Sequence, residues 1–193
     1  MPDKTGPPEF ALIVVDMLND FLDEWPSAQR KRLCDSTRQL VQMMRDHHQP
    51  IVWVRQEFDP DLTDAFPEIK AKGIRITIRG TLGSEIVPEL AVAPSDAVIV
   101  KKRYSAFFGT TLDVLLERLN PQTLIVAGIN THACIRMTVL DAYQRDRNVI
   151  LAADCTDSYD RQHHEISIEY LRDKIAEVMT NEDIQRILIR GKS

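Results

Sequence analysis

The sequence predicts an α/β fold, a doubly wound sheet of about six parallel strands with helices on both faces. Short runs rich in Val and Ile, apolar throughout, recur along the 193 residues, as strands covered on both faces read. Segments with apolar residues at helical spacing separate them. Such alternation implies right-handed crossovers between parallel neighbours. The length fits one domain, 1–193, large enough to bury a continuous core.

The first run covers 10–15, after a segment 1–9 whose three prolines and one glycine read as a flexible tail. Leu33, Cys34, Thr37, Leu40, Val41 and Met44 then follow helical spacing, which puts Cys34 on a core-facing stripe. That helix stops at His47-His48, before Pro50. A second run covers 51–54. The segment 56–90 breaks the rhythm, and the alternation of 74–79 between Gly73 and Gly80 predicts a short extra strand or arm. Runs at 97–100, 124–127, 149–152 and 175–179 supply the remaining strands, with helices expected near 110–119, 131–145, 163–174 and 182–189.

Apolar residues make up 44% and charged residues 27%, which excludes a wholly disordered or fibrous chain. With 24 basic against 29 acidic residues and a net charge of −5, no nucleic-acid partner is expected. No apolar run approaches the ~18 residues that span a bilayer, and Met1-Pro2-Asp3-Lys4 lacks a signal-peptide core, so a soluble cytoplasmic protein with no membrane partner is expected. Cys34, Cys134 and Cys155 show no paired or metal-ligand spacing.

Ligands of an open parallel sheet bind beyond the carboxyl ends of the strands. The residues there are Asp16 to Phe21 after the first strand, Arg55-Gln56-Glu57 after the second, Lys101-Lys102-Arg103-Tyr104 after the third, and Gly128 to Cys134 after the fourth. An acid, a base and a thiol thus converge on one edge, as nucleophilic catalysis requires. With Thr131 as N-cap, Cys134 enters the first turn of a helix, where the dipole favours thiolate and backbone N–H groups can hold an oxyanion. Unpaired cysteines are equally often inert core residues. Asp16 is also compatible with a helix cap or metal ligand, and Lys101 with a solvated strand end.

Other residues carry two readings. Phe21, Trp25, Tyr104, Phe107 and Phe108 wall an apolar pocket or pack in the core, and His132 lines the site or sits at the surface. His163 and His164 open a helix and read as structural, Cys155 as packing, and Asp154, Asp157 and Asp160 as loop and cap residues. Arg55, Arg75, Arg79 and Arg103 can pair with a substrate carboxylate or simply be solvated. No G-x-G-x-x-G follows a strand and no G-x-x-x-x-G-K-[ST] occurs, so a nucleotide-binding module lacks support.

Five segments together resemble the isochorismatase-like family of cysteine hydrolases, which includes nicotinamidases and N-carbamoylsarcosine amidases. They are Val15-Asp16-Met17-Leu18-Asn19-Asp20-Phe21; Gly80-Thr81-Leu82-Gly83-Ser84-Glu85 with Pro88-Glu89-Leu90; the stretch from Lys101 to Thr110; Gly128-Ile129-Asn130-Thr131-His132-Ala133-Cys134; and the stretch from His164 to Leu171. The similarity runs over about 10–180. It implies a triad of Asp16, Lys101 and Cys134, in which Asp16 moves the proton, Cys134 attacks a carbonyl to give a thioester and Lys101 stabilises its charged neighbours. It further implies a cis peptide at Ile129–Asn130, an oxyanion hole from the amides of Asn130 and Cys134, and a substrate pocket drawing on Phe21, Arg55, Tyr104, Phe107, Thr131 and His132. Lys102 competes with Lys101; the family motif favours Lys101.

Two departures narrow the subfamily. Leu18 stands where many relatives carry glutamine. The Asp-x-His element of metal-dependent nicotinamidases is replaced by Arg55-Gln56-Glu57-Phe58-Asp59, with no histidine between His48 and His132, so neither a metal nor another cofactor is expected. The resemblance implies a small-molecule substrate, a homodimer or homotetramer, and hydrolysis of a C–N bond in an amide or ureido compound. Isochorismatase-type vinyl-ether hydrolysis and a non-catalytic binding or interaction subunit are the alternatives.

Overall fold

A computed structural model describes residues 7–172 and 174–190. Most of the predicted tail, residues 1–6, lies outside the described residues. The sheet has six strands, all parallel: β1 (Phe10–Val15), β2 (Ile51–Gln56), β3 (Ala97–Lys101), β4 (Thr123–Gly128), β5 (Asn148–Thr156) and β6 (Glu177–Met179), in the order β3-β2-β1-β4-β5-β6. Strand order reverses between β1 and β4, which pair from Phe10↔Thr123 to Val15↔Gly128. Their carboxyl ends therefore frame the crevice where this architecture binds ligands.

Every residue of β1 is buried, because alternate side chains enter two separate core layers. Leu12 and Val14 pack with Trp53, Ile125 and the apolar stripe of α2 (Ser27–Asp46), and α7 (Asn181–Arg190) adds Ile184 and Leu188 to the same layer. Ala11, Ile13 and Val15 face the layer built with α4 (Leu112–Leu119), α5 (Arg136–Tyr143) and α6 (Arg161–Leu171). Each fully buried Val, Leu or Ile contributes roughly 1.5–3 kcal/mol, so the two layers hold β1 and β4 rigidly beneath the crevice. At the edge, β3 leaves Val98 and Val100 exposed.

Several expectations need correction. Residues 74–79 form no strand: Ile78 makes a single bridge to Phe58 and packs with Phe58, Leu62 and Ala65 in a small separate core. Thr77, at φ 51°, turns the chain out of the extended conformation, so the segment is an arm beside the sheet. It is preceded by a short helix α3 (Pro67–Lys72) that Gly73 ends in a left-handed conformation. A short helix α1 (Asn19–Leu22) also precedes α2. The helix expected at 131–145 is a π-helical turn, Thr131–Ile135, running into α5. α6 begins at Arg161 because the Asp160 side chain caps it, accepting the His163 N–H at 2.9 Å. Among the described residues no helix is long and apolar enough to cross a membrane.

Candidate active site

Asp16 is the first residue beyond β1, completely buried and in a left-handed backbone conformation with φ 57°, a strained geometry found at functional sites. Its Oδ1 accepts the Gln56 N–H at 2.8 Å. Its Oδ2 lies 2.6 Å from Lys101 Nζ as an ion pair and is otherwise without a hydrogen-bond partner among the described residues. Lys101 ends β3, also with no exposed surface, and Nζ donates to Arg103 O at 3.0 Å and to Cys134 Sγ at 3.4 Å. Three strand ends thus bring a carboxylate, an ammonium and a thiol together. Lys102 points elsewhere and pairs with Asp64 at 2.7 Å near the surface.

The close approach of β1 and β4 depends on Gly128. At φ 118° it adopts a conformation open to glycine, and a Cβ there would sit 2.0 Å from Val15 O. The next peptide, Ile129–Asn130, is cis. Asn130, not Thr131, occupies the cap position, and no side chain caps the turn. Ile129 N–H donates to Val15 O and Thr131 N–H to Asp157 O, whereas the Asn130 N–H finds no acceptor among the described residues.

The thiolate expectation at the helix start is also corrected. Burial pushes the Cys134 thiol up to about 12, against the opposing pull of Lys101 and with Asp16 adding to the rise. A helix dipole is worth about 0.3–1 kcal/mol, less than the ~1.4 kcal/mol of one pKa unit, so it cannot offset removal of the sulfur from water. Burial works to lower the Lys101 ammonium, but Asp16 and Cys134 outweigh it and hold it above the ordinary lysine range. Burial thus favours the neutral thiol, beside the Lys101–Asp16 ion pair.

The remaining expected pocket residues divide. Phe21 is half-buried beside the core, and Tyr104 is half-exposed with its ring 4.8 Å from Phe66. Phe107 is 3% exposed, in the same core layer as Cys134, and Arg145 lies 4.6 Å over its ring. Arg55 is already paired with Glu57 at 3.0 Å and Glu85 at 2.9 Å, which removes it as a free partner for a substrate carboxylate. Arg75, Arg79 and Arg103 likewise bond Pro60 O, Asp59 and Asp64 O. Thr131 is fully buried and turns its hydroxyl to His164; His132 is half-buried with Nδ1 2.7 Å from Ser158 Oγ.

Sequence reasoning missed the Gln56 amide that fixes Asp16 and the role of loop 157–159 beneath the turn. Neither leaves a local signal, since a main-chain donor is independent of residue type. Gly128, ahead of the cysteine at a strand end, was the one legible hint of close packing. Among the described residues no group of three or more His, Cys, Asp or Glu side chains could hold a metal ion, and Glu57 and Asp59 are engaged by Arg55 and Arg79.

Residues 10–183 match the isochorismatase domain family. A protein of Arabidopsis thaliana described as a "probable inactive nicotinamidase" is 33% identical over 167 residues, covering 82% of this chain and 85% of its own. Among solved structures, an isochorismatase family protein from Desulfovibrio vulgaris superposes with TM-score 0.85 at 29% identity, covering 95% of this chain and 100% of its own. N-carbamoylsarcosine amidase from Thermoplasma acidophilum gives TM-score 0.75 at 28% identity, covering 89% and 96%.

Proposed function

This chain belongs to the isochorismatase family of hydrolases, and from that premise we propose that it cleaves the C–N bond of a small amide or ureido compound with Cys134 as nucleophile. The observation that carries this reading is the buried chain of contacts from Asp16 Oδ2 to Lys101 Nζ at 2.6 Å and on to Cys134 Sγ at 3.4 Å. The similarity to an N-carbamoylsarcosine amidase supports the substrate class.

A thiol held neutral by burial needs a base at the moment of attack. Asp16 Oδ2 is the available acceptor, because Oδ1 is committed to the Gln56 N–H. In the proposed cycle the thiol proton passes to Asp16 as Sγ bonds to the substrate carbonyl carbon, and the carbonyl oxygen takes the negative charge. The free Asn130 N–H, with the Cys134 N–H, is assigned to that oxyanion. Collapse breaks the C–N bond, Asp16 returns the proton to the departing nitrogen, and a thioester remains on Cys134. Water then gives its proton to Asp16 and attacks the thioester, releasing the acid and restoring the thiol. Lys101 stays protonated throughout and keeps the carboxylate and the developing thiolate close together. The reading includes a metal-free mechanism and a homodimer or homotetramer.

A panel of small amides, carbamoyl amino acids, nicotinamide and isochorismate, assayed for ammonia and pyruvate, tests the reaction class. Ammonia release that disappears in Cys134→Ala and falls about 10³-fold in Asp16→Asn is the expected result. Vinyl-ether hydrolysis needs a proton donor and no sulfur nucleophile. Pyruvate release that survives Cys134→Ala would replace the amide reading, and a protein inert to the whole panel would favour the inactive description of its plant relative.

A further inference from the structure

Three consecutive residues of the turn that leads to Cys134 are each bonded to the loop between β5 and α6. Tyr159 N–H donates to Asn130 Oδ1 at 3.4 Å, Thr131 N–H donates to Asp157 O at 3.1 Å, and His132 Nδ1 lies 2.7 Å from Ser158 Oγ. A fourth tie comes from α6 itself. The Thr131 hydroxyl, in a residue with no exposed surface, lies 2.8 Å from His164 Nδ1.

We infer that His164 is a positioning residue: through the Thr131 hydroxyl it holds the π-helical turn in the register that keeps Cys134 Sγ beside Asp16 and Lys101. The inference rests on the reading of Cys134 as nucleophile. The turn needs an external hold, because Ile135 N–H reaches back five residues to Asn130 O at 3.2 Å, and such widened turns are rare and concentrate at functional sites. Thr131 is its first residue, so a shift there moves the sulfur three residues on.

His164 is itself well fixed. Its N–H donates to Asp160 O at 2.9 Å, and the Asp160 side chain caps the same helix end. Beneath it, Asp157 accepts from Gln29 Nε2 of α2 at 3.0 Å. Burial holds the His164 imidazole below its ordinary range, with Asp157 opposing and Arg161 adding to the effect. The ring is therefore neutral near pH 7, and Nδ1 shares a hydrogen bond with the Thr131 hydroxyl.

The test is iodoacetamide labelling read by peptide mass from pH 7 to 11, on wild type, Thr131→Val, His164→Ala, the double variant and His164→Asn. Asparagine places a polar atom close to the position of Nδ1. Releasing the turn lets the sulfur leave its buried place, so Cys134 labelling at pH 8 should rise about tenfold in each single variant, as a pKa falling by one unit requires. The double variant should rise no further, since both changes break one bond. His164→Asn should stay within about threefold of wild type, with Cys34 and Cys155 protected throughout. Wild-type labelling in both single variants, multiplicative effects in the double variant, or a parallel rise at all three cysteines would overturn the inference. Labelling requires no turnover, so failure of this hold and failure of the amide reading are separately visible.

Discussion

Lys101 carries a charge with no exposed surface, and its only carboxylate partner among the described residues, Asp16, is equally buried. Removing one member of such a pair strands the other, at a cost of about 3–5 kcal/mol. Lys101→Ala should therefore lower the unfolding free energy measured by urea melts by that amount and reduce turnover at least ~10²-fold, while Lys102→Ala, which breaks a partly exposed pair with Asp64, should cost about 0–1 kcal/mol and leave turnover nearly unchanged. Equal losses in the two variants would contradict the assignment. Two buried thiols also set an alkaline limit. Cys134 and Cys155 are both pushed up to about 12, chiefly by burial, from an ordinary value of 9.0. Below pH 9 both states keep these protons and the stabilisation is complete. Between pH 9 and about 12 the unfolded chain loses protons that the folded chain retains, so stability falls as pH rises. The melting temperature should drop across that window, and the drop should be smaller in Cys155→Ala.

The junction of β4 with the nucleophile turn is the most constrained piece of backbone at the site. Gly128→Ala would press a methyl group to 2.0 Å from Val15 O at a φ of 118°. More than ~4 kcal/mol of destabilisation is expected, with turnover lost because the strand ends that carry Asp16 and Cys134 must separate. Gly73→Ala is the control, since φ is 61° and nothing lies within 4 Å of the added Cβ; about 1–2 kcal/mol is expected there. Denaturant melts of the two variants decide the comparison. The arm is tied at several points to the segment after β1: Asp20 accepts the Thr77 N–H at 2.5 Å, and Asn19 Nδ2 donates to Leu82 O at 2.8 Å. Its alternating sequence suggested a strand, but alternation records one buried and one exposed side without saying what lies on the buried side. Here that is the small Phe58, Leu62, Ala65 and Ile78 core, so no ladder forms.

The molecule as a whole carries its candidate site at one sheet edge built from side chains and main chain, and catalysis should proceed without a metal. Activity should survive dialysis against a chelator under reducing conditions; loss that zinc, manganese or iron restores would refute this. That expectation came from the resemblance: the Asp-x-His element of metal-dependent relatives is missing, and no histidine stands between His48 and His132. The order of strands and helices was legible because apolar runs and helical spacing are written within a few residues and survive any tertiary arrangement. The motifs at four strand ends identified Asp16, Lys101 and Cys134 as candidates, because an α/β sheet sends all its strand ends to one edge. Partnership across the fold was not legible. Tertiary structure alone decided that Arg55 is spent on Glu57 and Glu85, that Phe107 turns inward beneath Arg145, and that Thr131 belongs to His164 rather than to a pocket wall. It also decided that burial pushes the thiol up, since the sequence reports a helix start but not the removal of water around it. These contacts join residues tens of positions apart, and which of them meet depends on strand order, crossover and packing, none of which any local stretch of sequence encodes.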